Sequence, residues 1–176
     1  HASGCFVMPN PWDAGSARVL AAMGFPALAT TSAGFAWTQG RRDNDVPLEL
    51  MLAHLASMAA AVEVPVNADF EGGFAVEPDG VAVNVGRAVL TGIAGLSIED
   101  STGDAADPLF DRALAVERIR AARRAIDASG TGVLLTARSD AKRLKAETEA
   151  RRQQVIQNQS AANENAKLKA PPARRD

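Results

Sequence analysis

Apolar runs and helical periodicities alternate along the first 140 residues. Five short runs, Cys5 to Pro9, Ala27 to Thr31, Val64 to Ala68, Ile93 to Ile98 and Val133 to Ala137, are rich in apolar residues and bounded by polar or turn residues. Near-continuous rather than alternating hydrophobicity is the pattern of strands buried on both faces, as in a parallel sheet covered by helices. Between the runs the apolar period lengthens to three or four residues. Asp13 can N-cap a helix through Ser16, Val19, Leu20 and Met23 that ends at Gly24. Asp45 or Pro47 opens a second, with Leu48, Met51, Leu52, Leu55 and Met58 on one face. A weaker third covers Val81 to Leu90, and a fourth sets Leu109, Ala113, Val116, Ile119, Arg123 and Ile126 in one stripe before the breaker Gly130. The alternation predicts five consecutive βα units.

After Asp140 the pattern stops, and composition shows that the chain changes character there. Residues 1–140 hold all 14 glycines, both tryptophans, all six phenylalanines and no lysine, and their 10 arginines against 17 acids give −7. Residues 141–176 hold all four lysines and four of the five glutamines, and 9 basic against 4 acidic residues give +5. The total of −2 is therefore a cancellation between two segments. We expect a catalytic-type domain over 1–140 and a basic, Gln/Asn/Lys-rich tail over 141–176 that forms a solvated helix or stays disordered. The tail lacks aromatics for base stacking, which argues against a nucleic-acid partner.

No run approaches the roughly 20 apolar residues a bilayer crossing needs, and no charged-then-apolar leader opens the chain. We expect no membrane partner. One cysteine, Cys5, excludes an internal disulfide framework, and His1 and His54 match no zinc spacing with it. A cytoplasmic location fits these features, and a start at His1 suggests a trimmed N-terminus.

Polar residues cluster where each strand run ends: Asn10 and Asp13, Thr31 and Ser32, Asp69 and Glu71, Glu99 and Asp100, Arg138 and Asp140. In parallel α/β folds that end of the sheet carries the active site. Neighbouring strand ends lie about 5 Å apart, so Asp69, Glu71 and Glu99 can converge. Three facing carboxylates repel unless protonated or neutralised, and a hard cation such as Mg²⁺ suits them. The same acids can instead cap helices or pair with Arg138 and Arg87. Arg138 can grip a substrate carboxylate, stabilise oxyanion charge, or form a structural ion pair. Thr30 to Gly34 offers consecutive backbone N–H groups and a hydroxyl for a carboxylate or phosphate, or simply a tight turn. Gly72-Gly73 and the Gln39 to Asp45 stretch look like mobile loops, the second a candidate lid carrying Asp43, or an ordinary connection. His54 is expected to be packing or surface, Cys5 a buried small hydrophobe, and Trp12 a cover on the core.

Five motifs then appear together: Asn10-Pro11-Trp12-Asp13-Ala14-Gly15-Ser16-Ala17-Arg18, Phe25-Pro26-Ala27-Leu28-Ala29-Thr30-Thr31-Ser32-Ala33-Gly34, Pro65-Val66-Asn67-Ala68-Asp69-Phe70-Glu71-Gly72-Gly73-Phe74, Ile98-Glu99-Asp100 and Thr136-Ala137-Arg138-Ser139-Asp140. In this order they resemble the isocitrate lyase/phosphoenolpyruvate mutase superfamily. The resemblance implies a (β/α)8 TIM-type barrel, here with only its first five βα units followed by the tail. It implies Mg²⁺, with Mn²⁺ as an alternative, and a small α-oxo or α-hydroxy carboxylic acid as substrate. It implies Asp69, Glu71 and Glu99 as metal-shell acids, Ser32, Ala33 and Gly34 as the carboxylate-binding turn, Asp43 as the gating-loop acid and Arg138 as the strand-five arginine, with Arg138, Asp43 and Glu99 catalytic.

Two departures narrow the expectation. Where members that cleave isocitrate or methylisocitrate carry a cysteine loop, this chain has Ser101 to Pro108, with neither cysteine nor lysine. We therefore expect a Mg²⁺-dependent lyase that cleaves a C–C bond or decarboxylates through an enolate. Phosphonopyruvate or carboxyphosphonoenolpyruvate chemistry is the alternative within enzymes. The other departure is the loss of the family pattern after Asp140. An unclosed parallel sheet exposes an edge and apolar surface, so we expect the chain to be a fragment lacking three further βα units, with dependence on a partner or a truncation or fusion as the alternatives. We also expect a homo-oligomer, dimer or tetramer, and keep a non-catalytic oligomerisation module as the reading from another class.

Overall fold

The computed structural model describes residues 4–140 and, beyond them, positions 145, 149, 152–155, 157 and 158. The chain divides into two compact units, His1–Ser139 and Asp140–Asp176. Beyond Asp140 the described positions are helical, and the role expected of the tail lies outside the described residues.

The first unit is a parallel α/β layer. Its elements run α1 (Ala14–Ala22), β1 (Leu28–Ala29), α2 (Ser32–Thr38), α3 (Leu48–Ala61), β2 (Val66–Asp69), α4 (Pro78–Val89), β3 (Gly95–Glu99), α5 (Arg112–Ser129) and β4 (Leu134–Arg138). All pairings are parallel and the sheet order is β1-β2-β3-β4. That sequential order has no switch point, so right-handed crossovers lay every connecting helix on one face. It is the winding of an arc of a (β/α)8 barrel rather than of a doubly wound sheet.

Local chemistry explains the helices. Asp13 caps α1 through a reciprocal box with Ser16, and α5 ends at Gly130, whose φ of 65° suits a residue without a Cβ. Met51, Leu55 and Met58 of α3 are buried against the sheet, as the periodicity predicts. On α5 the buried face is offset from the expected stripe: Arg118, Ala121, Ala122 and Ile126 turn inward while Val116 is exposed. Leu96 and Ile98 on β3 are fully buried, each stabilising the fold by roughly 1.5–3 kcal/mol.

Four of the five expected strands form. Cys5 to Pro9 adopts no strand; Ala29 N–H donates to the Pro9 carbonyl at 3.0 Å. Pro9 and Pro11 carry no N–H and β1 is only two residues long, so a ladder has few donors to build on. Cys5 is consequently exposed rather than buried, and Trp12 is half exposed. At the other edge β4 has no further strand partner among the described residues, and Leu134 is 53% exposed. A helix not anticipated from periodicity, α2, begins at the Thr31 N-cap.

Candidate functional site

The two-residue period of a strand sets the site. Cross-strand register pairs Asp69 with Ser97, Ser97 with Thr136, and Glu99 with Arg138. These residues fall on the face opposite buried Ala68, Leu96 and Ile98, at the carboxyl ends of β2, β3 and β4. A cleft of about 170 Å³ opens there, bordered by Asn10, Thr30, Thr31, Asp69, Ser97 and Arg138.

Arg138 is the hub. Its Nη1 donates to Asp69 Oδ1 at 3.1 Å and its Nη2 to Glu99 Oε1. Asp69 is held from a second side, where the Ser32 N–H and Oγ donate to Oδ2 at 3.0 and 2.8 Å. Thr30 Oγ1 accepts from the Asp69 N–H at 2.9 Å and squares off the strand end. Within the turn expected to bind a substrate carboxylate, the Ser32 donors are taken here by Asp69. Ser32 is the first residue of α2 and Gly34 N–H donates to the Thr31 capping hydroxyl. Ala33 lies between them on the same turn.

Glu71 is strongly perturbed. It is 7% exposed, and its Oε1 is buried with no hydrogen-bond partner. Burial, then the fields of Asp43, Asp69 and Glu99, push its pKa up to about 7. The backbone that places it is also strained: Glu71 and Phe74 sit at φ 47° and 57°, with Gly73 at 77° between them. Each non-glycine residue in this region costs about 1–2 kcal/mol, a kind of strain that clusters at functional sites. Asp43 is exposed on the loop between α2 and α3, where its carboxylate accepts from the Asn44 N–H at 3.1 Å.

The donor set suits a divalent cation: three carboxylates supply hard oxygens, and one buried Glu71 oxygen lacks a partner. As the side chains stand, no three acids among the described residues converge on a metal position. Asp69 and Glu99 instead turn oxygens toward the Arg138 guanidinium.

One feature of this region escapes the sequence: Arg118 lies buried beneath the loop that follows β2. His54, expected as packing or surface, stacks on Phe35 with ring centroids 3.7 Å apart. Burial holds the imidazole down to a pKa of about 4, so His54 is a neutral packing residue, outside the polar cluster. Arg118 stands outside the apolar stripe read from the sequence, on the face it shares with Ala121, Ala122 and Ile126.

Known proteins share this outline. The family model for phosphoenolpyruvate phosphomutase matches residues 1–162. An uncharacterized protein of Mycobacterium tuberculosis (strain H37Rv) is 37% identical over 119 residues, 68% of this chain and 44% of its own. The solved structure of a "putative lyase/mutase" from Burkholderia cenocepacia J2315 shares 48% identity at a TM-score of 0.73, covering 79% of this chain and 50% of that one. The structure of 2,3-dimethylmalate lyase, a member of the phosphoenolpyruvate mutase/isocitrate lyase superfamily, shares 33% identity at 0.71, covering 77% and 48%. The chain thus spans about half the length of the proteins it matches. Among the described residues no helix is long and apolar enough to cross a membrane.

Proposed function

The chain belongs to the phosphoenolpyruvate phosphomutase family, and from that premise we propose that it supplies the active-site half of a lyase acting in the cytoplasm on a small α-oxo or α-hydroxy carboxylic acid. The reaction cleaves a C–C bond or releases CO2 through an enolate. The observation that carries this reading is the cluster at the strand ends, in which Arg138 faces Asp69 and Glu99 beside Glu71, whose Oε1 is buried without a partner.

Each residue has work suited to its chemistry. The planar fork of Arg138 matches a carboxylate and stays charged, so it binds the acid and stabilises negative charge as the enolate develops. Ser32, with Ala33 and Gly34, supports the substrate carboxylate once Asp69, whose Oδ2 takes both Ser32 donors here, turns to the cation. Asp69, Glu71 and Glu99 would hold Mg²⁺ or Mn²⁺. When bound, that cation polarises the substrate oxygen and spreads enolate charge. Asp43, on its exposed loop, closes over the cleft and keeps water from the enolate.

The test is turnover. The chain, shown to be folded, is incubated with oxaloacetate and a panel of substituted malates, with and without Mg²⁺, and released oxo acid is quantified. We expect Mg²⁺-dependent product that Glu99→Ala abolishes; no turnover across the panel overturns the reading. The family's own name favours phosphonate chemistry as the second reading, and phosphorus NMR with phosphonopyruvate in the same panel separates the two. The exposed β4 edge supports assembly into a dimer or tetramer, to be read by light scattering.

A further inference from the structure

We propose that Arg118, on α5 and outside the carboxylate cluster, is a positioning residue that holds the loop between β2 and α4 in the conformation presenting Glu71 to Asp69 and Glu99. The inference rests on the functional reading above for its catalytic consequence, but its structural content stands alone.

Arg118 is 1% exposed, a rare state for a guanidinium. Its Nη1 donates to the carbonyls of Ala75 and Val76, and its Nη2 to that of Gly72. The cation also lies over the Phe110 ring, 3.9 Å from its centroid. The acceptors are neutral backbone carbonyls in the loop between β2 and α4. Burying a charge is unfavourable unless hydrogen bonds of good geometry compensate it, so the guanidinium and these carbonyls depend on each other's placement. Burial lowers its pKa and the field of Glu77 raises it.

The loop needs such a brace. Three of its four residues from Glu71 to Phe74 have positive φ. Asn84 of α4 donates to the carbonyls of Gly73 and Phe74 at 3.0 and 3.1 Å, so two helices share the loop's acceptors. A Cβ at Gly72 would lie 3.1 Å from the Ser101 carbonyl and 3.3 Å from Arg118 Nη2, showing how closely the guanidinium follows the backbone. The Glu71 carbonyl in turn accepts from the Glu99 N–H at 2.9 Å. Loosening the loop therefore disturbs the relation between two of the three acids without touching either side chain. A lysine presents one compact ammonium where the fork spans three carbonyls, so it should substitute only in part.

The test uses Arg118→Met and Arg118→Lys in the full chain, with amide exchange, thermal unfolding and steady-state kinetics. In Arg118→Met we expect exchange at the Gly73 and Glu99 amides to accelerate at least about tenfold. Amides inside α3 and those of Leu96 to Ile98 in β3 should change less than about threefold. With a substrate that turns over, kcat should fall at least about tenfold while KM moves less than about threefold, and Arg118→Lys should recover part of kcat. Exchange that rises uniformly, with kcat lost in proportion to folded protein, marks a merely structural residue and overturns the proposal. Unchanged kcat in a folded variant with a loosened loop overturns it too. If the wild-type chain turns nothing over, it is the functional reading that fails. The exchange pattern still decides whether Arg118 holds the loop, localised loss supporting it and uniform loss refuting it.

Discussion

Replacing Glu71 by glutamine isolates the electrostatic cost of the carboxylate cluster. Glu71 is 7% exposed and its pKa is raised from 4.5 to about 7, first by burial and then by Asp43, Asp69 and Glu99. Below pH 4.5 the carboxyl is protonated in both folded and unfolded chains. Between 4.5 and about 7 the folded protein keeps a proton that the unfolded chain releases, so stability falls as pH rises and levels off above about 7. The shift corresponds to about 3 kcal/mol. A glutamine side chain cannot ionise and escapes this loss. In urea titrations with EDTA, the stability of Glu71→Gln relative to wild type should therefore rise by about 3 kcal/mol between about pH 4 and pH 8. His54 titrates with the opposite slope but does so in both proteins and cancels in the difference. Saturating Mg²⁺ should then stabilise wild type above about pH 7, by about 2.7 kcal/mol at a hundredfold excess over its Kd, and leave the variant unmoved. A stability difference that is flat with pH refutes the claim that Glu71 is buried against like charge.

Arg138→Ala leaves Asp69 and Glu99 without their shared cation. Because the Arg138 side chain is 44% exposed, screening holds the stability loss to about 1 kcal/mol. Turnover should fall about 10²-fold or more; the same urea and product assays check both. His54 gives an acid limb: its folded pKa of about 4 lies below the unfolded 6.5, so stability is lost as pH falls from about 6.5 towards 4. His54→Phe, which keeps the stack on Phe35, should be about 2 kcal/mol less sensitive to a shift from neutral pH to about pH 5 in thermal or urea melts.

Where packing follows a simple period, the chain declares its own structure. The Asp13 cap and Gly24 stop bracket α1, and Met51, Leu55 and Met58 mark the buried side of α3. Asp69, Glu99 and Arg138 stand at the strand ends where the sequence places them, because the two-residue period of β2, β3 and β4 sets them on one face, whereas Glu71 lies in the turn after β2. Periodicity does not supply features made by contacts remote in sequence. Helix α2 is only seven residues long, too short for an amphipathic signal, and rests on the Thr31 cap. The Cys5 to Pro9 run has strand-like composition, but strand pairing also requires a partner and N–H donors. Ser32 can be assigned to a carboxylate by type, yet that its partner is Asp69, 37 residues away, depends on the fold. Arg118 reads in sequence as one charge among many on an arginine-rich helix; only the carbonyls 42 to 46 residues away reveal its role.

The central claim is that Arg138 and the three acids form one site for a cation and an α-oxo acid. Oxalate, a planar dianion with the shape and charge of a pyruvate enolate, tests it without assuming a substrate. In isothermal titrations of the folded chain, the account predicts oxalate binding that requires Mg²⁺ and weakens at least about tenfold in Arg138→Met, a change of about 1.4 kcal/mol or more. Failure of the folded wild-type chain to bind oxalate in the presence of Mg²⁺, or equal binding by Arg138→Met, contradicts it.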